Sequence, residues 1–230
     1  MRKITERTNI YVDGFNLYYS AVRDTQFKWL NVAALCQNLL PDIKINKIKY
    51  FSARVKASRH DPDAPTRQDY YLRALRTIPN LGIVLGHFVR WPRLMPQYPL
   101  AYPNYPRFDK PPQRVQVQRT EEKGSDVNLA THLLYDCFIN DFDEAVVISN
   151  DSDLALPIEI VTTELRKNVM VINPNTTEKV KKDKNCRINR DLKRVATSCI
   201  LSINTKILAE SQFPLTLTDS EGSFNKPPAW

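Results

Sequence analysis

The stretch Lys123–Val161, KGSDVNLATHLLYDCFINDFDEAVVISNDSDLALPIEIV, carries a helix, a strand and a second helix with carboxylates at the joins. After Lys123-Gly124-Ser125, Ala130, Leu133, Leu134, Cys137 and Phe138 recur at three- and four-residue steps, which predicts an amphipathic helix. Asp126 precedes Ala130 by four residues and falls on or near the inward face, where a lone carboxylate is costly unless something positive meets it. Ala145-Val146-Val147-Ile148 is a short continuous apolar run, as in a strand buried on both faces of a parallel sheet. It ends in Ser149-Asn150-Asp151-Ser152-Asp153. A helix with Leu154, Ile158, Val161 and Leu165 in phase follows, and Pro157 lies in its first turn. Asp151 and Asp153 thus stand at the carboxyl end of a central strand, where open α/β sheets place their sites.

Near the start of the chain, Asn9-Ile10-Tyr11-Val12 reads as another strand, ending in Asp13-Gly14-Phe15-Asn16. If the two strands are neighbours, Asp13, Asp126, Asp151 and Asp153 converge. Like charges in one pocket raise one another's pKa values, and the usual remedy is a hard divalent cation with oxygen ligands, Mg²⁺ or Mn²⁺. Each Asp alone has a plainer explanation, since an Asp after a strand often only caps the following helix. Asp151 and Asp153 are the most open to that explanation.

Asp13-Gly-Phe-Asn16, Lys123-Gly-Ser-Asp126-Val and Ser149-Asn-Asp151-Ser-Asp153, taken in order and on these elements, resemble the NYN domain, a family within the PIN-like ribonucleases. The resemblance runs from about Ile10 to Asn173. It implies a three-layer α/β/α sandwich with a mainly parallel central sheet and a divalent-metal-dependent ribonuclease. Asp13, Asp126 and Asp151 would be the metal ligands, with Asp153 an outer or second-metal ligand and Asn16 orienting water or phosphate. Many relatives carry an acid where this chain has His132, which bears on the full carboxylate count but not on the core set.

The composition is compatible with that reading. Lys and Arg number 33 against 25 Asp and Glu, a net charge of +8, so the surface would attract a polyanion while the acids gather in one pocket. Cys36, Cys137, Cys186 and Cys199 form no C-x-x-C pair, and no phosphate-binding glycine loop or Ser-His-Asp arrangement is visible. With no signal-like segment or membrane-length apolar run, a cytoplasmic protein away from the membrane is expected.

In chain order, residues 1–8 are polar and expected to fray. Further strands are expected near 48–55, 81–89, 114–120 and 168–172, and helices near 16–22, 31–40 and 67–78. Trp91 to Pro112 holds seven of the sixteen prolines, and is expected to be an irregular insertion or lid. Its aromatics and cations suit stacking on single-stranded RNA bases with phosphate contact; anchoring to the body or to a second subunit, in a homo-oligomer, is the alternative. Candidate substrate contacts are Lys123, Ser149, Ser152, Arg54, Arg93 and Arg107. Residues 1–173 are read as the nuclease domain, and 174–230 as a helical extension and tail packed on it. An RNA-binding module that keeps the fold without cleaving is the rival. A phosphatase is weaker, because no Asp-x-Asp follows the first strand.

Overall fold

The computed structural model describes residues 7–103, 105–108 and 110–230; of the polar start 1–8 expected to fray, 1–6 lie outside them, whereas Thr8 is buried and already opens the first strand. The elements are β1 (Thr8–Asp13), α1 (Gly14–Leu17, continuing as a π-helical turn over Tyr18–Val22), α2 (Val32–Leu39), β2 (Ile45–Ala53), α3 (Ala64–Arg76), β3 (Leu81–Pro96), β4 (Arg114–Lys123), α4 (Ser125–Phe138) and β5 (Glu144–Ile148). There follow α5 (Ala155–Glu159, entered through a 3₁₀ turn at Ser152–Leu154), β6 (Asn168–Ile172), α6 (Thr177–Lys182), α7 (Arg190–Val195), β7 (Ser198–Ile200), α8 (Thr205–Glu210), β8 (Thr216–Asp219) and β9 (Gly222–Asn225).

Seven strands form one sheet in the order β4-β3-β2-β1-β5-β6-β7, parallel except for the β3–β4 pair. From β1 the chain winds outward through β2 and β3. It then crosses by α4 to the other side of β1 and winds on through β5, β6 and β7. The strand order therefore reverses between β1 and β5, and a crevice opens there beyond the carboxyl ends of the strands. β1 and β5 are buried at every position, because each has a strand on both sides and helices on both faces. On one face Ile10, Val12, Ile48 and Val146 pack with α1, α2, α3 and α8; on the other Tyr11, Phe51 and Val147 pack with α4, α5 and α7. This is the expected three-layer sandwich.

The inward face of α4 differs from the expected one by about a residue. Ser125, Leu129, Leu133, Asp136 and Cys137 are buried, while Phe138 is exposed. Residues 174–230 are not helical only: β7 completes the sheet, and the β8–β9 hairpin lies on α3 through the Arg73–Asp219 ion pair, with the Arg73 guanidinium over the Phe224 ring at 4.2 Å. Among the described residues no helix is long and apolar enough to cross a membrane.

The proline-rich stretch departs most from expectation. β3 does not stop near residue 89 but runs to Pro96, paired rung by rung with β4 from His87↔Lys123 to Pro96↔Arg114. Its pairing with β2 ends at Gly86, so beyond that point the two strands form a two-stranded arm. Gln97 N donates to Gln113 O, which puts the odd-numbered amides of this part of β3 toward β4. Pro92 and Pro96 fall on the alternate rungs, with their nitrogens facing a side that has no neighbouring strand, so no ladder bond is lost. Among the described residues of the stretch only those of the tip lack regular pairing, and there Phe108 meets Tyr102 and Tyr105 edge-on.

Candidate active site

The register Val12↔Ile148 brings the next residues, Asp13 and Ser149, side by side at the reversal point. Asp13 is buried, and both its oxygens are used. Oδ1 accepts from Asn16 N (2.9 Å) and so caps α1; Oδ2 accepts from Ser149 Oγ (2.8 Å). The same Ser149 oxygen accepts from Asp151 N (3.1 Å), and Asp151 Oδ1 accepts from Asp153 N (3.0 Å), capping the 3₁₀ turn. The capping explanation thus holds for Asp13 and Asp151, and both remain members of the acidic group as well. Asn16 Oδ1 accepts from Asn150 N (3.1 Å), so this side chain clamps the β5 loop. Asn150 in turn accepts from Asn189 N (2.7 Å) and donates to Arg187 O (3.0 Å), anchoring the loop from behind.

Asp126 arrives from the other side. Gly124, at φ 100°, turns the chain from β4 into α4, and Gly86 lies so close that a Cβ there would stand 2.5 Å from Lys123 O. This close approach presses the first turn of α4 toward the crevice. Burial pushes the Asp126 carboxyl up to about 6, with the charges of Asp13, Asp151, Glu122 and Asp153 adding to the shift. Asp13 is also raised, by burial first, opposed by its hydrogen bonds and aided by the Asp151 charge. The four expected carboxylates therefore act on one region, together with Glu122, which the sequence reading missed. Glu122 Oε1 accepts from Ser125 N (3.0 Å), a role visible only once the turn at Gly124 is known.

No Lys or Arg pairs with Asp13, Asp126, Asp151 or Asp153 among the described residues. An all-oxygen, uncompensated donor set of this kind has the chemistry a hard divalent ion takes. As the side chains stand, however, no three His, Cys, Asp or Glu groups among the described residues close on one point.

The expected substrate contacts divide. Ser149 is inside the group and Ser152 is exposed at its edge. Lys123 stands at the arm's root with its ammonium 2.8 Å from Glu121 Oε2. Arg54 follows β2 and is paired with Asp69 of α3. Arg93 and Arg107 lie out on the arm, away from the acids, both exposed.

His132 does not join the acids. Its Nδ1 lies 3.2 Å from Lys49 Nζ, and the ring packs on Phe51. Burial, then the Lys49 charge, lower its pKa, which favours the neutral ring. Lys49 also meets Asp136 Oδ2 at 2.6 Å, and Tyr11 donates to that oxygen at 2.7 Å. A second, charge-balanced polar cluster thus lies beneath α4.

Comparisons with known proteins agree with this architecture. A solved structure of a protein of unknown function from Vibrio parahaemolyticus RIMD 2210633 superposes with a TM-score of 0.51 at 15% identity, covering 93% of this chain and 99% of that one, a likeness of fold. A curated protein from Pseudomonas putida, 6-hydroxy-3-succinoylpyridine 3-monooxygenase HspA, is 28% identical over 246 residues, covering 97% of this chain and 75% of that one. The NYN domain family matches residues 7–187, which include every member of the acidic group. The chain belongs to the NYN domain family.

Proposed function

We propose that this chain is a divalent-metal-dependent ribonuclease. The observation that supports it is the gathering of Asp13, Asp126, Asp151 and Asp153, without a counter-cation among the described residues, at the strand-order reversal of an NYN-family sheet. With their side chains turned toward one point, Asp13, Asp126 and Asp151 would hold Mg²⁺ or Mn²⁺, with Asp153 as an outer or second-metal ligand; the ion would supply Lewis-acid polarisation of phosphoryl oxygens and a more acidic water. Asp13 is the fixed member, locked by Ser149 and the α1 amide. Asn16 and Asn150 hold the loop that carries Asp151 and Asp153. Lys123, at the rim, would exchange its Glu121 partner for a phosphate oxygen. The arm presents Arg93, Arg107 and Lys110 beside exposed Tyr98, Tyr105 and Phe108, the combination that binds single-stranded RNA through phosphates and stacked bases.

The test is incubation of labelled single-stranded and structured RNA with Mg²⁺, Mn²⁺ or EDTA. Cleavage that appears with an ion and vanishes in EDTA is expected. Binding without cleavage under every ion would replace this reading with that of a non-catalytic RNA-binding module. Changing Arg93, Arg107 and Lys110 together to Ala should weaken RNA binding and flatten log K against log salt by up to about 2 units, at about 0.7 for each phosphate of a single strand that is no longer neutralised. An unchanged slope would remove the arm as the RNA contact.

A second reading comes from the curated relative, whose name describes oxygenation of a hydroxypyridine acid. Its signature would be dioxygen-dependent hydroxylation of 6-hydroxy-3-succinoylpyridine in the presence of a reductant, with RNA left intact.

A further inference from the structure

On the opposite face of the sheet from α4, a cavity of about 460 Å³ opens between α1 and α3 at the carboxyl ends of β1 and β2. That volume lies within the range of small-ligand sites, roughly 300–1,000 Å³. Its walls are flat rings. Phe15, Tyr18, Tyr50, Tyr71 and Trp230 line it, with Tyr71 edge-on to both Tyr50 and Trp230 at 6.3 and 5.8 Å.

Several of its polar groups are already engaged: Gln68 accepts from Val55 N and donates to Ala53 O, both at 2.8 Å. Tyr71 donates to Leu30 O at 2.9 Å and is spoken for. The Tyr18 and Tyr50 hydroxyls make no hydrogen bond to any other described residue, although Tyr50 is only 6% exposed. Burial, with the Asp13 charge behind it, keeps the Tyr50 phenol protonated, so it is a standing donor. Of the cations at the mouth, Arg67 is neutralised by Asp61, and Arg23 reaches Asp24 only at 3.9 Å while lying over the Tyr19 ring. Lys28 has no ion-pair partner among the described residues. The mouth is therefore left positive.

The cavity also touches the acidic group through the backbone. A Cβ on Gly14 would stand 2.5 Å from the Tyr50 ring, so this wall rests directly on the turn that carries Asp13.

We propose that this cavity is a binding site for a planar aromatic ring bearing one anionic group. The rings stack on its faces, Tyr50 and Tyr18 hydrogen-bond its edge, and Lys28 and Arg23 meet its charge. Two sources share this chemistry: the base and phosphate of a nucleotide, and a free aromatic carboxylic acid. The inference stands on the cavity alone and does not need RNA cleavage.

The test is isothermal titration of the full chain in EDTA, which keeps the acidic group out of the measurement. Uridine monophosphate and nicotinate are the probes; uridine and nicotinamide are their uncharged counterparts. We expect saturable binding of at least one charged probe and at least tenfold weaker binding of its counterpart. Tyr50→Phe should weaken the bound probe roughly 3- to 10-fold and Lys28→Ala roughly 10-fold or more, with melting temperatures confirming that both variants fold. Binding of the nucleotide alone assigns the site to a nucleic-acid base, and binding of nicotinate alone assigns it to a free acid. No saturation by either probe up to about 10 mM, weaker than any useful affinity, would overturn the proposal, as would binding indifferent to both substitutions. A protein that binds a probe yet cleaves no RNA removes the nuclease reading and leaves this site standing.

Discussion

Asp126→Asn is expected to lower RNA cleavage at least about 100-fold in Mn²⁺, because loss of even an outer partner of a metal ligand typically costs 10- to 100-fold. The same change should raise the melting temperature of the metal-free protein. Asp126 is held up to about 6 by burial and by the charges of Asp13, Asp151, Glu122 and Asp153, so its ionised form is unwelcome in the folded state. The sign follows from linkage. A carboxyl whose folded pKa exceeds its unfolded value of about 3.9 binds more protons when folded, so its contribution to stability falls as pH rises from about 4 through about 6. The amide cannot ionise and escapes that loss. The melting-temperature advantage of the variant should therefore be small at pH 4 and full at pH 7. Added Mn²⁺ should stabilise the wild type and do much less for the variant. RNA affinity in EDTA should be unchanged if, as proposed, the arm and not the acids makes those contacts. Retained cleavage would sink the role of Asp126, and a lower melting temperature at pH 7 would mark it as structural.

The second large effect is on stability. Lys49→Met should lower the melting temperature by roughly 6–20 °C: removing one member of a buried ion pair costs about 3–5 kcal/mol, and a chain of this size loses about 2–4 °C per kcal/mol. The side chains of Lys49 and Asp136 are 19% and 5% exposed, and without Lys49 the buried Asp136 carboxyl loses its ion-pair partner and keeps the Tyr11 hydroxyl as hydrogen-bond donor. Removing both charges, as Lys49→Met with Asp136→Leu, should recover most of the loss. The remainder is the stranded Tyr11 hydroxyl, about 1–3 kcal/mol. If Lys49→Met melts within about 2 °C of the wild type, a shift worth about 1 kcal/mol or less, the cluster beneath α4 contributes little.

Much of this site was legible from strand ends. Asp13 and Asp151 stand just beyond apolar runs that read as buried strands; that the two strands are neighbours was a condition of the reading, and the β1–β5 pairing meets it. The Lys49 cluster was not legible, because Lys47 and Lys49 alternate with Ile48 and Tyr50, a pattern that reads as a solvent face. In the fold that face lies partly under α4, where Asp136 supplies the partner. β7 was missed because three residues with no alternation leave no periodic signal. Prolines misled the reading of the arm, since their cost depends on which rung they occupy, and sequence does not number the rungs. The aromatic cavity escaped notice because Phe15, Tyr50, Tyr71 and Trp230 are far apart in the chain and each reads as ordinary core.

The two-stranded arm also bears on how this fold can change over time. His87 and Lys123 already face each other across a single rung at the arm's root, so the body closes there whatever lies between them. Past the first rungs, where Phe88 meets Phe15 and Arg90 reaches Ala57 O, the arm is largely exposed and the sheet takes no further support from it. Its length is therefore a free variable for natural selection. The reach of the protein toward a large partner can be lengthened, trimmed or replaced wholesale while the acidic crevice stays as it is.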